Sequence, residues 1–567
     1  MTRRDRVKAA LKATRLDALV SRTKYFGRLV LHPQFRALEL ASLRAHRVWR
    51  RRYAPVLGPT LYPAGCSRKA LIVTKGTLIG AQIELGLIKG IELAGFVPIV
   101  LGDRSLEKHY RLAGVRDFLR WEQFVPREPR EAAAALVAQA NAVDDLLGLE
   151  HAGARVGKFA LSTTFRSLRA GRLDFSKSET RQALAAQVAA GLARADAAPR
   201  ILDAARPDVA LFMGNRYTGQ GELLDVCVNR GIDVLTWFDA HRSSSLMLKR
   251  YNLANRDRHH GSISDELWAQ LQTIDWTDQR RALLRAELYD NYAAGNWYGR
   301  GGTQVNKSIV EASRLRSRLA LDPSKKTAII FPHIVWDATL FWGADLFSNY
   351  EDWLVETVRG ACANPRLNWI VKIHPAHVAK SAMERYTGEP AELVAIRERV
   401  GPLPPHVVVI PPDTDINTYS LFSVMDYCLT VRGTIGIESA SFGIHVLTAG
   451  SGRYDRRGFT TDSATAPEYL ARLATLEALG PMTLAQRELA ERFAYGAFIV
   501  RPFPFSSLSI DYEKDIEATT RVRLNASSSA ELRTATDLRA FADWVADGAQ
   551  EDFVWRLPQR ALLGQFA

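Results

Sequence analysis

Two stretches of the chain gather groups suited to holding phosphate. Residues 368–375, NWIVKIHP, form an apolar run that ends in Lys372, His374 and Pro375. A strand there delivers the lysine and the histidine to its C-terminal end, where open α/β sheets bind ligands, and the proline stops it. Further on, the apolar residues 427–431 meet Arg432-Gly433-Thr434, a helix-like segment follows over 435–442, and a second apolar run over 445–449 ends in glycine. A turn at the end of a parallel strand that feeds a helix N-terminus presents free N–H groups and the positive end of the helix dipole to one point. Phosphate fits such a point, and a plain βαβ crossover produces the same pattern. A third cluster, Phe238-Asp239-Ala240-His241-Arg242, leaves the strand expected over 232–237. There Asp239 could act as base or nucleophile and His241 as proton shuttle, or the loop could simply cap the next helix.

Bringing these groups together requires strands and helices in alternation, and the patterning supplies them. Residues 70–74 read as a short buried strand, 75–80 as a glycine turn, 82–93 as a helix and 96–101 as a second strand, a Rossmann-like opening. The turn ends neither as a P-loop nor as G-x-G-x-x-G, which disfavours a dinucleotide there. Ala-rich helices are predicted over 130–205, a strand over 207–214 and a helix over 222–229. Residues 255–322 are polar, contain the aromatic-glycine patch 296–302, and read as linker and hinge. A second alternating run starts at Lys325, with strands over 327–333, 368–374 and 406–410 before the 427–449 unit. The expected fold class is α/β with two Rossmann-like doubly wound domains. The expected segments are a basic amphipathic helical extension (1–60), a first domain with hinge (61–322), a second domain (323–490) and terminal loops and helices (491–567).

A chain of 567 residues with 47% hydrophobic content can bury two large cores. No window approaches the ~18 consecutive apolar residues of a membrane-spanning helix, and the first residues lack the apolar centre of a signal peptide, so a cytoplasmic location is expected. The four cysteines, Cys66, Cys227, Cys362 and Cys428, are scattered with no C-x-x-C pair, which indicates neither disulfides nor a zinc site. Charge is uneven: residues 1–60 hold fifteen basic residues against three acidic ones, +12 of the chain's +14. Apolar residues recur among them at helical spacing, so residues 1–55 fit either an anionic membrane surface or a helical extension packed on the body. No reader motif for nucleic acid accompanies the charge.

His374-Pro375, the stretch from Arg432 to Gly443, and Gly450-Ser451-Gly452-Arg453-Tyr454 together resemble the nucleotide-binding half of GT-B glycosyltransferases of the capsule polysaccharide biosynthesis type. Bacterial sialyltransferases and the nonhydrolysing UDP-sugar epimerases are more distantly similar. The resemblance implies a GT-B architecture that moves a sugar from a nucleotide-sugar donor to a polysaccharide or lipid-linked acceptor, with no further cofactor. It implies that His374 and Lys372 contact phosphate, that Gly433 and Thr434 in the turn after Arg432 offer N–H and hydroxyl donors to it, that Glu438 accepts from ribose hydroxyls, and that the loop from Asp415 to Asn417 edges the base. Asp413-Thr414-Asp415 matches a D-x-D metal motif, but its place after two prolines and before a helix suits a turn, so no metal is assigned. Two other readings stay open: a GT-B sugar-phosphate enzyme such as an epimerase or glycerophosphate-type transferase, and a noncatalytic nucleotide-sugar-binding protein.

Overall fold

The computed structural model describes residues 33–214, 216–384, 386–512 and 520–555. A basic helix α1 (Pro33–Arg52) precedes the first sheet. That domain contains β1 (Lys69–Val73), α2 (Leu78–Leu93), β2 (Val97–Gly102), β3 (Asp117–Arg120), α3 (Val156–Leu168), α4 (Ser178–Ala205), β4 (Val209–Phe212), β5 (Asp233–Asp239) and β6 (Ser245–Tyr251). The central strands are unbroken apolar runs because helices cover both faces of the sheet.

Helix α5 (Asp278–Ala293) leads towards the second sheet, built from β7 (Thr327–Ile330), α6 (Tyr350–Ala363), β8 (Asn368–Lys372), α7 (Ala376–Glu384), β9 (Val407–Ile410), β10 (Tyr427–Thr430), α8 (Thr434–Ser441), β11 (His445–Thr448) and β12 (Thr461–Asp462). Its strand order is β12-β11-β10-β7-β8-β9, parallel throughout. The first sheet runs β6-β5-β4-β1-β2-β3 with only β6 antiparallel. Each sheet therefore reverses its winding once, between β1 and β4 and between β7 and β10, and a crevice opens at each reversal. Two Rossmann-like domains of this kind are the GT-B plan.

Residues 255–322, expected as a linker, are largely helical, and Leu284, Leu288 and Tyr292 of α5 join the second domain's core with Cys428 and Ile437. Their apolar side chains fall at four-residue intervals inside a polar sequence, a stripe too narrow to stand out in composition. The terminal segment crosses back. After α9 (Leu484–Tyr495), strand β13 (Phe503–Pro504) pairs with β6, the β14 (Leu508–Tyr512) and β15 (Thr520–Leu524) hairpin follows, and α10 (Thr536–Asp547) packs on α2. The approach is so close that a Cβ on Gly90 would stand 2.3 Å from the Phe541 ring.

A buried charge cluster pins this return. Asp552 bonds Lys249 at 2.8 Å and Arg501 at 3.0 Å and accepts from the Ser264 amide at 2.7 Å. All three charged side chains are at most 1% exposed. Removing one partner of such a cluster strands the others in a dry interior, a loss of about 3–5 kcal/mol. Asp552→Ala is accordingly expected to lower unfolding free energy in urea by that amount; a loss within the ~0.5 kcal/mol usual for surface changes would show that the returning segment does not hold the first domain together.

Candidate functional site

The carboxyl ends of both sheets face each other across a cleft of about 650 Å³. Lys75 follows β1, Met213 follows β4 and Asp239 ends β5 on one wall. His333 follows β7, Lys372 and His374 end β8, and Gly433, Thr434 and Glu438 follow β10 on the other. Tyr292, Trp297 and Tyr298, between the domains, floor the cleft.

The turn into α8 is built by close approach. The Tyr454 hydroxyl donates to the Gly433 carbonyl at 2.8 Å, and a Cβ on Gly436 would lie 2.1 Å from that hydroxyl, so glycine is required at 436. His333 Nε2 accepts the Arg432 amide at 3.2 Å, and Thr430 Oγ1 accepts the Gly433 amide at 3.2 Å. The first helical amides, at Thr434 and Ile435, are left to face the cleft with the positive end of the helix dipole. The Gly433 N–H, expected to donate to phosphate, is instead taken up by the Thr430 hydroxyl.

Around the turn, burial keeps the donors neutral or weakly charged. His374 accepts the Ala376 amide through Nδ1 at 3.2 Å, which puts its proton on Nε2. Burial, then the neighbouring His377 and Lys380 charges, depresses its pKa to about 3. The buried Lys372 ammonium donates to the Ile373 carbonyl at 3.0 Å, and burial followed by the Lys307 charge lowers its pKa to about 7. Glu438 is 1% exposed and accepts from the Tyr292 hydroxyl, and burial raises its pKa to about 7. A carboxyl expected to serve ribose is thus already supplied with a protein donor.

Three expected site residues do other work. Arg432 is 2% exposed and donates to the Phe341 carbonyl at 2.7 Å while pairing with Asp345, so it braces a loop and does not line the cleft. Asn417 caps the turn Thr418–Ser423 through the Tyr419 amide at 2.9 Å and donates to the Tyr292 carbonyl at 2.9 Å; its neighbour Thr418 lines the cleft instead. His241 is buried, bonds Glu287 at 2.7 Å and packs against Trp297 and Phe498, because the turn after β5 directs it into the core. That leaves Asp239 as the cluster's cleft-lining carboxylate.

Other residues, given no role by the sequence, also enter the site. Arg453 lines the cleft and donates to the Arg432 carbonyl at 3.2 Å. Among the described residues no carboxylate pairs with it, and its Nε is buried without a partner. An uncompensated guanidinium beside a helix N-terminus matches an oxyanion. Its signal in sequence is the arginine just past the glycines that end an apolar run. Asp337 joins the domains: it accepts from Tyr217 at 2.5 Å, Arg166 at 3.3 Å and Lys380. Burial alone would raise its pKa, but Lys380 and Arg166 hold it at about 2. His259 and His260 stack at 4.1 Å, and burial pushes both imidazoles well below their ordinary range. Among the described residues no three His, Cys, Asp or Glu side chains are grouped to hold a metal, and Asp415 pairs with Arg318.

No family model matches the chain, and no curated protein matches it. Solved structures do. One is the beta Kdo 2,4 transferase KpsC of Thermosulfurimonas dismutans, 14% identical over 55% of this chain and 84% of that one, with a TM-score of 0.31. The UDP-GlcNAc 2-epimerase of Neisseria meningitidis, bound to UDP-GlcNAc, is 12% identical over 76% and 99%, TM-score 0.24. The calicheamicin glycosyltransferase CalG4 is 11% identical over 76% and 94%, TM-score 0.26. The two-domain assignment rests on this chain's own strand orders.

As pH falls through about 7, Lys372 gains a proton and Glu438 loses its charge, so the cleft becomes more positive on both counts. Affinity of the cleft for an anion, probed with UDP-glucose, should therefore strengthen between pH 8 and pH 6, and Lys372→Met should flatten part of that rise in calorimetric titrations. A profile unchanged by the substitution would show that Lys372 meets no anion there.

Proposed function

We propose that the protein is a glycosyltransferase that moves a sugar from a nucleotide-sugar donor to a surface polysaccharide or lipid-linked acceptor. The observation that carries this reading is the unpaired Arg453 guanidinium set beside the first amides of α8, with His374 and Lys372 on the same wall. Cleavage of a sugar–phosphate bond builds negative charge on the leaving phosphate, and donors fixed where that charge appears lower the barrier. In this reading the protein's own donors meet the phosphate charge and no metal is needed. The nucleotide lies against the second domain, while Asp239, on the opposite wall, faces the acceptor and takes its hydroxyl proton or attacks the anomeric carbon.

An amide cannot do either job. Asp239→Asn is expected to abolish transfer while nucleotide affinity stays within twofold of the parent, since the wall that holds phosphate is untouched. Near-normal turnover would move the role elsewhere.

A membrane-proximal acceptor requires a way to the membrane, and α1 supplies one. Leu40, Leu43 and Val48 are 46%, 41% and 53% exposed and stand among exposed Arg44, Arg47, Arg50, Arg51 and Arg52, while Trp49 and Tyr53 pack inward. Residues 1–32 of the basic segment lie outside the described residues. Among the described residues no helix is long and apolar enough to cross a membrane. A mixed basic and apolar face suits anionic headgroups, at ~1 kcal/mol per basic residue near the surface. Deleting 1–55 would also remove Trp49 and Tyr53 from the core, so charge reversal is the cleaner test. Arg44→Glu with Arg47→Glu and Arg51→Glu should release the protein from phosphatidylserine vesicles at low salt and spare nucleotide binding; equal vesicle binding by parent and variant would sink the membrane role.

A further inference from the structure

A second groove, about 320 Å³, adjoins the cleft and shares Arg453 with it. It lies between the loop around 258–265 of the first half and the loop 451–457 after β11, which meet where the His259 amide donates to the Gly452 carbonyl at 2.9 Å. Four guanidinium groups line it, those of Arg258, Arg453, Arg456 and Arg457, against the carboxylates of Asp265 and Asp455. Asp265 is committed to Arg258 and Arg457, and Asp455 to the Gly452 and Arg453 amides at 2.6 and 3.3 Å. Among the described residues, two positive charges therefore remain without a carboxylate, on Arg453 and Arg456.

The backbone is bent to place them. Arg456 stands at φ +58°, in the left-handed region that a side chain adopts only at a cost of about 1–3 kcal/mol. Gly452, at φ +93°, is so tightly seated that a Cβ would meet the Trp342 carbonyl oxygen at 1.9 Å. Among the described residues the Arg456 side chain has no hydrogen bond or ion pair, although its own amide is fixed on Asp462 at 2.8 Å. Arg456 is exposed to solvent, whereas Arg453 beside it keeps a buried Nε with no partner among the described residues, so the groove offers an anion one half-sheltered guanidinium and one in solvent.

We infer that this groove binds an oxyanion, a carboxylate or phosphate, carried by the acceptor glycan, so that the protein selects acidic acceptors. Arg453 then stands between two anions, the donor phosphate on one side and the acceptor's acidic group on the other. That position ties occupancy of the groove to occupancy of the cleft. The inference rests on the transferase reading for the identity of the ligand, and the experiment separates the two.

The full chain, saturated with whichever of CMP, CDP, UDP and GDP it binds, is titrated with trigalacturonate, with glucose 6-phosphate and with neutral maltotriose. One or both acidic probes should bind, and Arg456→Gln should weaken that binding by about tenfold or more, the loss of one hydrogen bond to a charged group. Arg456→Lys should restore part of it, and nucleotide affinity should be equal in all three proteins. The preferred acidic probe tells carboxylate from phosphate. Binding of an acidic probe that ignores Arg456→Gln, or that competes with the nucleotide, overturns the groove assignment. So does maltotriose binding as tightly as both acidic probes. A chain that binds no nucleoside monophosphate or diphosphate at all would instead defeat the transferase reading, and the acidic probes alone would still test the groove.

Discussion

The cleft depends on the gap between β7 and β10. Where a parallel sheet reverses its winding, the helices after two neighbouring strands leave on opposite faces, and nothing covers the strand ends between them. Here that opening is closed by one hydrogen bond, His333 Nε2 to the Arg432 amide, and by the Thr430 hydroxyl on the next amide. Both bonds use up the turn's own donors and so define which amides remain for a ligand. Displacing His333 would change the helix N-terminus itself, because its bond holds the turn from across the switch point.

The second constraint is the strip of chain that crosses between the domains. Tyr292 stacks on Trp297 at 4.9 Å and hands its hydroxyl to Glu438, while its carbonyl takes the Asn417 side chain. This strip therefore ties α5, α8 and the turn after β9 into one rigid floor. The price is a buried carboxyl whose pKa rises to about 7, and the same dry setting lowers Lys372 to about 7 and leaves the histidines neutral. A low-dielectric cleft of neutral donors with one uncompensated cation offers a dianion more than a solvated cluster of lysines would.

The two halves meet through Asp337, with Arg166 and Tyr217 from one side and Lys380 from the other, and through Arg216, whose guanidinium lies 3.8 Å over the Trp342 ring. These contacts, with the returning strand β13, fix the separation of the facing sheet ends. Asp239 and the α8 turn share one cleft only because that separation is held.

Two doubly wound halves were legible in the sequence because parallel strands covered on both faces must be unbroken apolar runs, and 70–74, 327–330 and 427–431 are such runs. Lys372, His374 and Thr434 were legible as well, since a residue at the end of such a strand, or first in the helix after it, has one place to go. Burial and partners were decided only by the tertiary structure. Arg432, Asn417 and His241 sit beside cleft residues in sequence, yet each turns inward to a carbonyl or a carboxylate supplied by a segment distant along the chain. Arg453 became a cleft residue because the loop after β11 folds back over the α8 turn, and the described residues of 501–555 joined the first domain because β6 had an open edge that Phe503 could fill. Local pattern fixes what each segment is; which partner it meets is set by long-range packing, which periodicity does not encode.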